Sequence, residues 1–311
     1  MGSDASDGGT SSARTGQATE GPVGATSERA SSHDGGFLLG RQRRNQLLKW
    51  ALYAVAGCLL VFLWIPLLVM FVLSFTVNAS TIFPFEGLTL AHYAATFSDS
   101  GLMRSLLNSV VIATLSASIA TVLGVLASFA LARYDFPYKE LYRTFGILPM
   151  VIPGIVLGMA LLIYFRTLLG LTPGFLTLVL THSVYGFPFV LLIVTARLYT
   201  YDESLEEAAR DLGADPLATF RDVTLPIVGP AVGAGFLFAW IRSFEDFIRA
   251  FFVRGTADVL TTSMFSMIKY GTAPKMNAVS TFIVAVIAVV LAVAMNLGNV
   301  TEYVAGTGEE E

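Results

Sequence analysis

Six stretches of this chain are too long and too apolar to face water: roughly Trp50 to Phe75, Ser105 to Leu131, Thr144 to Phe165, Phe175 to Ala196, Pro226 to Phe247 and Ala278 to Leu297. A helix crossing the hydrocarbon of a bilayer needs about 20 mostly apolar residues. In lipid each backbone amide must find its partner within the protein, which a helix provides for itself. The pattern predicts an all-α polytopic membrane protein with six transmembrane helices. Composition agrees, since 54% of the 311 residues are hydrophobic and only 14% are charged, against about 25% charged in a soluble domain. Pro66, Pro149, Pro153 and Pro188 fall in or near the spans and should kink or interrupt them.

Residues 1–36 are rich in Ser, Gly, Thr, Ala and Asp, and they are predicted to form a disordered acidic tail because they hold almost no large apolar side chains. The membrane domain then covers residues 37–302, followed by a short acidic tail, 303–311. The first apolar run begins after Arg41, Arg43, Arg44 and Lys49, too far along and too long for a cleaved signal, and reads as a retained anchor. Basic residues in that tail, in the second-to-third link (Arg133, Lys139, Arg143) and in the fourth-to-fifth link (Arg197, Arg210, Arg221) place those segments in the cytoplasm. With six spans, both termini are cytoplasmic and the protein sits multi-pass in the plasma membrane. The outer links carry basic residues too, so charge gives a bias rather than a proof. A net charge of −4 gives no reason to expect a nucleic-acid partner.

The most informative segment is the polar link between the fourth and fifth spans, Asp202 to Pro226. It reads as two short helices at an angle. In the first, Leu205, Ala208, Ala209 and Leu212 recur at i, i+3, i+4 and i+7 and form a small apolar stripe, with Glu206, Arg210 and Asp211 elsewhere around the helix. Ser204 and Glu207 fit a capping box at its start, and Gly213 fits the left-handed position that ends a helix. Asp215 and Pro216 suit the N-cap and first position of a second helix, predicted to finish before Pro226. A mere connection needs only a few residues, so a structured elbow implies that something docks on it.

At these residues the sequence resembles the permease subunits of binding-protein-dependent ATP-binding-cassette (ABC) importers. Their signature is Glu-Ala-Ala, three residues, Gly, nine residues, then a hydrophobic residue, any residue, Leu and Pro. Here it reads Glu207-Ala208-Ala209, Gly213, then Val223, Leu225 and Pro226. The resemblance extends over residues 47 to 300, including Leu88-Thr89-Leu90 through Tyr93 to Leu106-Leu107-Asn108-Ser109. The run from Phe244 to Thr281 is similar to the second permease subunit of spermidine/putrescine importers. The resemblance implies the type I importer permease fold, with the elbow as the coupling helix seated in a cleft of an ATPase. Glu207, Ala208, Ala209, Gly213, Leu225 and Pro226 would then be the coupling residues. It also implies partners: a pair of ABC ATPase subunits, a second permease subunit and an extracytoplasmic solute-binding protein, with membrane lipid around the spans. The plainer reading, in which Glu207 caps its own helix and the alanines favour helix formation, can coexist with this role.

No phosphate-cradling Gly-x-x-x-x-Gly-Lys-Ser/Thr loop is present. ATP would therefore be bound by a partner, and the chain needs no cofactor of its own and is no enzyme. Cys58 is the sole cysteine, which rules out an internal disulfide, and His33, His92 and His182 are too scattered to suggest a metal site. Glu245 and Asp246, at the outer end of the fifth span, are candidate contacts for a polyamine. Against that, Arg242 lies three and four residues away and could neutralise both acids. His182, Asn108 and Asn296 read first as helix-to-helix hydrogen bonds, and Tyr185, Phe187 and Phe189 as packing. The rival function, an ion-gradient-driven secondary transporter, would favour internal repeats and ion ligands on broken helices at mid-membrane. Here the charges sit at a helix end instead.

Overall fold

The computed structural model describes residues 34–78, 86–270, 275–289 and 292. Most of the expected N-terminal tail, all of the C-terminal tail, Asn296 and the far part of the sixth span lie outside them. The chain divides into two units, Met1–Pro66 and Leu67–Glu311. The 42-residue helix α1 (Asp34–Phe75) passes through Pro66, where the first unit ends, and its stretch Leu48–Phe75 is predominantly apolar.

The second unit is helical apart from turns and one antiparallel bridge between Thr76 and Leu88 among the described residues. After α2 (Ala91–Phe97) come α3 (Ser100–Arg133), α4 (Lys139–Val151), α5 (Gly154–Ile163) and α6 (Phe175–Thr200). Next are α7 (Ser204–Asp211), α8 (Pro216–Thr219), α9 (Leu225–Phe244), α10 (Ile248–Val253) and α11 (Leu260–Lys269). A short apolar helix, α12 (Lys275–Val289), ends the described part. Among the described residues, Leu48–Phe75, Ser100–Arg133, Phe175–Thr200 and Pro216–Phe244 are long and apolar enough to cross a bilayer.

The third expected span is not one straight helix. Lys139–Val151 and Gly154–Leu168 meet at 106°. Ile152, which precedes Pro153, is extended at φ −65° and ψ 131°, because the proline ring disfavours helical backbone at the residue before it. Pro188, by contrast, sits inside an unbroken α6.

Helices α3, α6 and α9 pack against one another around Ala117, Ala120, Val190, Val194, Leu198, Val228 and Ala239. Small residues allow this close approach, as at membrane helix contacts generally. A Cβ placed on Gly124 of α3 would lie 2.7 Å from the Val190 Cβ of α6. One placed on Gly235 of α9 would lie 3.3 Å from the Val190 Cα. Gly186 faces Ala120 and Ala239 in the same way. Hydroxyls add cross-links in a setting without water to compete. Ser128 Oγ donates to the Leu191 carbonyl at 3.0 Å, and Ser116 Oγ and Ser243 Oγ share a hydrogen bond at 2.9 Å.

Candidate functional site

The elbow between α6 and α9 begins at Asp202, whose Oδ1 accepts from the Ser204 N–H at 3.0 Å. That bond holds the exposed Asp202 carboxyl below its usual range. The capping box expected from Ser204 and Glu207 is not formed. Glu203 occupies the N-cap without a side-chain cap bond, so Ser204 is already helical and Asp202 satisfies its amide. At the other end α7 closes in a Schellman motif. Gly213 has φ +91°, its N–H donates to the Arg210 carbonyl, and the Ala214 N–H donates to the Ala209 carbonyl. Asp215 Oδ1 then accepts from the Ala218 N–H at 2.7 Å, with Pro216 in the first turn of α8.

The second helix does not stop before Pro226. A π turn, Phe220–Thr224, carries α8 directly into α9, and the Leu225 N–H reaches back five residues to the Phe220 carbonyl. The wider turn lets the chain pass Pro226, which has no N–H to give, without a break.

The elbow is held from one side. Glu206, only 9% exposed, accepts from Arg133 Nη2 at 3.0 Å and Thr224 Oγ1 at 2.9 Å through Oε1, and from Arg210 Nη2 at 3.1 Å through Oε2. Arg133, the last residue of α3, also pairs with Glu203 and lies over the Tyr201 ring, 5.3 Å from its centroid. Burial, and then the Glu206 carboxylate, push the Tyr201 phenol above its ordinary value.

Among the described residues the opposite face has no such partners. Glu207, Ala208, Gly213, Leu225 and Pro226 are exposed and Ala209 is half-buried. Among the described residues the Glu207 side chain makes no hydrogen bond or ion pair. Of the apolar stripe, Leu205, Ala208 and Leu212 are exposed, Leu212 to 90%, while Ala209 is half-buried; Leu217 of α8 is uncovered as well.

At the far end of α9, 20 residues and about 30 Å away, the two acids have different fates. Glu245 pairs with Arg242 at the surface. Asp246 is buried and instead pairs with Arg249, Nη1 to Oδ1 at 2.8 Å. Its Oδ2 lies 3.5 Å from His182 Nε2. His182 Nδ1 bonds Ser243 Oγ at 2.7 Å, a link from α6 to α9. The Tyr185 ring lies under the Arg249 guanidinium at 3.4 Å, and Arg242 sits 5.4 Å from the same ring and bonds its hydroxyl. Asn108 Nδ2 bonds the Asp258 carbonyl at 2.9 Å rather than another span. Sequence spacing had offered Arg242 for both acids. The second arginine was equally available at i+3, but only the fold shows which one turns inward. Among the described residues no group of three or more His, Cys, Asp or Glu side chains could hold a metal.

A long trio of helices, a polar elbow with one anchored and one open face, and the family signature on that open face together call for comparison with known proteins. The family described as binding-protein-dependent transport system inner membrane component matches residues 120–300. The chain belongs to this family. It is an ABC importer permease and not an enzyme.

This permease is 33% identical over 261 residues to the spermidine/putrescine transport system permease protein PotC of Escherichia coli strain K12, covering 84% of this chain and 95% of that one. It is 32% identical over 236 residues to the putrescine transport system permease protein PotI of the same strain, covering 74% and 84%. It is also 31% identical over 218 residues to the molybdate/tungstate transport system permease protein WtpB of Pyrococcus abyssi strain GE5, covering 68% and 82%. In fold it resembles a chain of a bacterial ABC transporter involved in import of the acidic polysaccharide alginate. That match has a TM-score of 0.67 at 14% identity, over 82% of this chain and 97% of that one.

Proposed function

We propose that this permease carries polyamines, spermidine or putrescine, inward by alternating access, and that a separate ATPase pair drives it through the elbow. One observation carries the coupling part. The face of α7 that bears Glu207, Ala208 and Leu212 is open, while its back is bound to α3 and α9 through Glu206. An apolar and acidic face with no partner among the described residues, on a segment tied to the transmembrane trio, suits reception of a push from another protein. Glu207, Ala208, Ala209, Gly213, Leu225 and Pro226 are the contact residues in this reading, and ATP is bound by the partner.

The elbow and both termini lie in the cytoplasm in this reading. A second permease subunit completes the pathway, and an extracytoplasmic binding protein delivers solute to the opposite end of α9, where the exposed Glu245 would meet it; Asp246, expected as a second contact, is buried against Arg249. The polyamine assignment is supported by the likeness to PotC and PotI. The likeness to WtpB, a permease named for an oxyanion, makes solute the part most in need of measurement.

Uptake of labelled spermidine and putrescine in a strain lacking this chain, with and without the gene restored, tests the assignment. Uptake that is the same in both strains would remove the polyamine claim. Co-purification of the chain with an ATPase tests the coupling claim separately, and active flux through the chain alone would remove it.

A further inference from the structure

Of two neighbouring glutamates on α7, Glu206 is buried and Glu207 exposed, and only the exposed one belongs to the signature. The buried one, Glu206, stands where four helix ends converge: the C-terminal ends of α3 and α6, α7 itself, and the start of α9. Its Oε1 is shared by Arg133 from the end of α3 and Thr224 from the last residue of the π turn. Glu206 is 73 residues from Arg133 and 18 from Thr224 in sequence. This is a long-range knot, whereas a local cap would stay within one turn.

We infer that Glu206, Arg133 and Thr224 are positioning residues that make the elbow and the ends of α3 and α9 move as one body. The inference rests on the docking role proposed above and names the part that transmits the thrust. An eight-residue helix is too short to be stable by itself in water, and α7 is joined to its neighbours by the turns at Asp202 and at Gly213 to Asp215. Without a tie, force on its outer face would swing α7 about those turns and leave the membrane helices behind. With the tie, displacement of α7 is delivered at once to the end of α3 and the start of α9, two members of the packed trio. Glu206 is well built for this because its carboxylate accepts three bonds in a buried site, and charge-assisted bonds in such surroundings are strong and directional.

The test uses three variants of the full chain: Glu206→Gln, Thr224→Val, which keeps the volume and removes the hydroxyl, and Arg133→Lys, which keeps the charge and loses the fork. In lipid nanodiscs, amide exchange over residues 204–211 should rise by about tenfold in the first two variants, and less in the third, while the centres of α3 and α9 stay protected. In the assembled importer, each variant should still co-purify with the ATPase. Spermidine imported per ATP hydrolysed should fall at least about fivefold in Glu206→Gln, a change of roughly 1 kcal/mol. Unchanged exchange over 204–211 in Thr224→Val would overturn the proposal even if Glu206→Gln failed to fold. An unchanged ratio of solute to ATP would overturn the transmission role. Failure of the native chain to bind any ATPase would strike the docking reading instead, and the exchange measurement would still decide whether the knot exists.

Discussion

The glycine of the trio with least room for a side chain, Gly124, allows a graded experiment. Replacing Gly124 with Ala would put a methyl 2.7 Å from Val190 Cβ, 2.8 Å from Val190 Cγ1 and 3.3 Å from the Leu191 amide. The first two contacts are far inside van der Waals separation, and one of them is to a Cβ that no rotamer change can move. α3 and α6 must therefore part. Overpacking of this kind costs about 1–3 kcal/mol, while helix propensity returns at most about 1 kcal/mol for Gly to Ala. The net effect is destabilising. Gly235→Ala meets Val190 at 3.3 Å and should cost less. Gly233→Ala meets nothing within 4 Å and should be neutral or slightly stabilising. Adding Val190→Ala to Gly124→Ala removes the 2.8 Å contact but leaves the 2.7 Å one, so it should rescue only in part. Thermal unfolding of the purified chain in detergent, followed by near-ultraviolet circular dichroism, would rank the variants. A Gly124→Ala protein as stable as Gly233→Ala would refute the close packing of α3 on α6.

Gly213→Val forces a β-branched residue to φ +91° at a cost of about 1–2 kcal/mol, and should abolish uptake in cells while surface labelling finds the chain inserted normally. Asp246→Asn leaves the Arg249 charge buried without its counter-ion and should destabilise by about 3–5 kcal/mol, seen as a loss of purified monodisperse protein. Glu245→Gln removes an exposed pair and should change stability by no more than about 1 kcal/mol. Lys275, 2.9 Å from Asp99 Oδ2, holds that carboxyl below the ordinary carboxylate range. The depressed value means that this pair supports the fold above the ordinary carboxylate range and is lost only as pH falls below it. Stability of the native chain should therefore stay level down to about pH 4 as far as this pair is concerned. Replacing Lys275 with Met should lower the melting temperature at neutral pH and flatten its fall below about pH 4 in a pH series of melting curves, because Asp99 then loses the main cause of its depressed value.

What the sequence made legible follows from how local each determinant is. Gly213, Asp215 and Pro216 act within one turn of chain, and the structure places them as cap, N-cap and first turn, as the residue types require. The apolar lengths of the first, second, fourth and fifth spans were equally plain, because lipid demands them. Glu206 was hidden because its partner Arg133 stands on another helix, and periodicity assigns a face without saying what covers it. The apolar stripe Leu205, Ala208 and Leu212 accordingly turned out to be the open side. The break at Ile152 was half visible. Pro149 lies inside α4 and Pro153 ends it, and the rule for the residue before proline marks Ile152, but nothing local gives the bend of 106°. The continuity past Pro226 was hidden because a proline usually signals an end, and a π turn has no compositional mark.

That π turn also sets the direction in which the elbow is aimed. Five residues, Phe220 to Thr224, run with one more residue to the turn than an α-helix would use. Each residue advances a helix by about 100° of rotation. Deleting one of them would only tighten the segment into regular helix, because five residues at this wider spacing turn through about as much as four in an α-helix, whereas inserting one would swing everything upstream of Phe220 through roughly that angle. Every signature residue would survive such an insertion, yet Glu207, Ala208, Ala209 and Gly213 would be carried to another azimuth around the α9 axis, away from whatever the elbow addresses. In a chain built this way, the count of residues before Pro226 is as much a part of the coupling surface as the side chains on it.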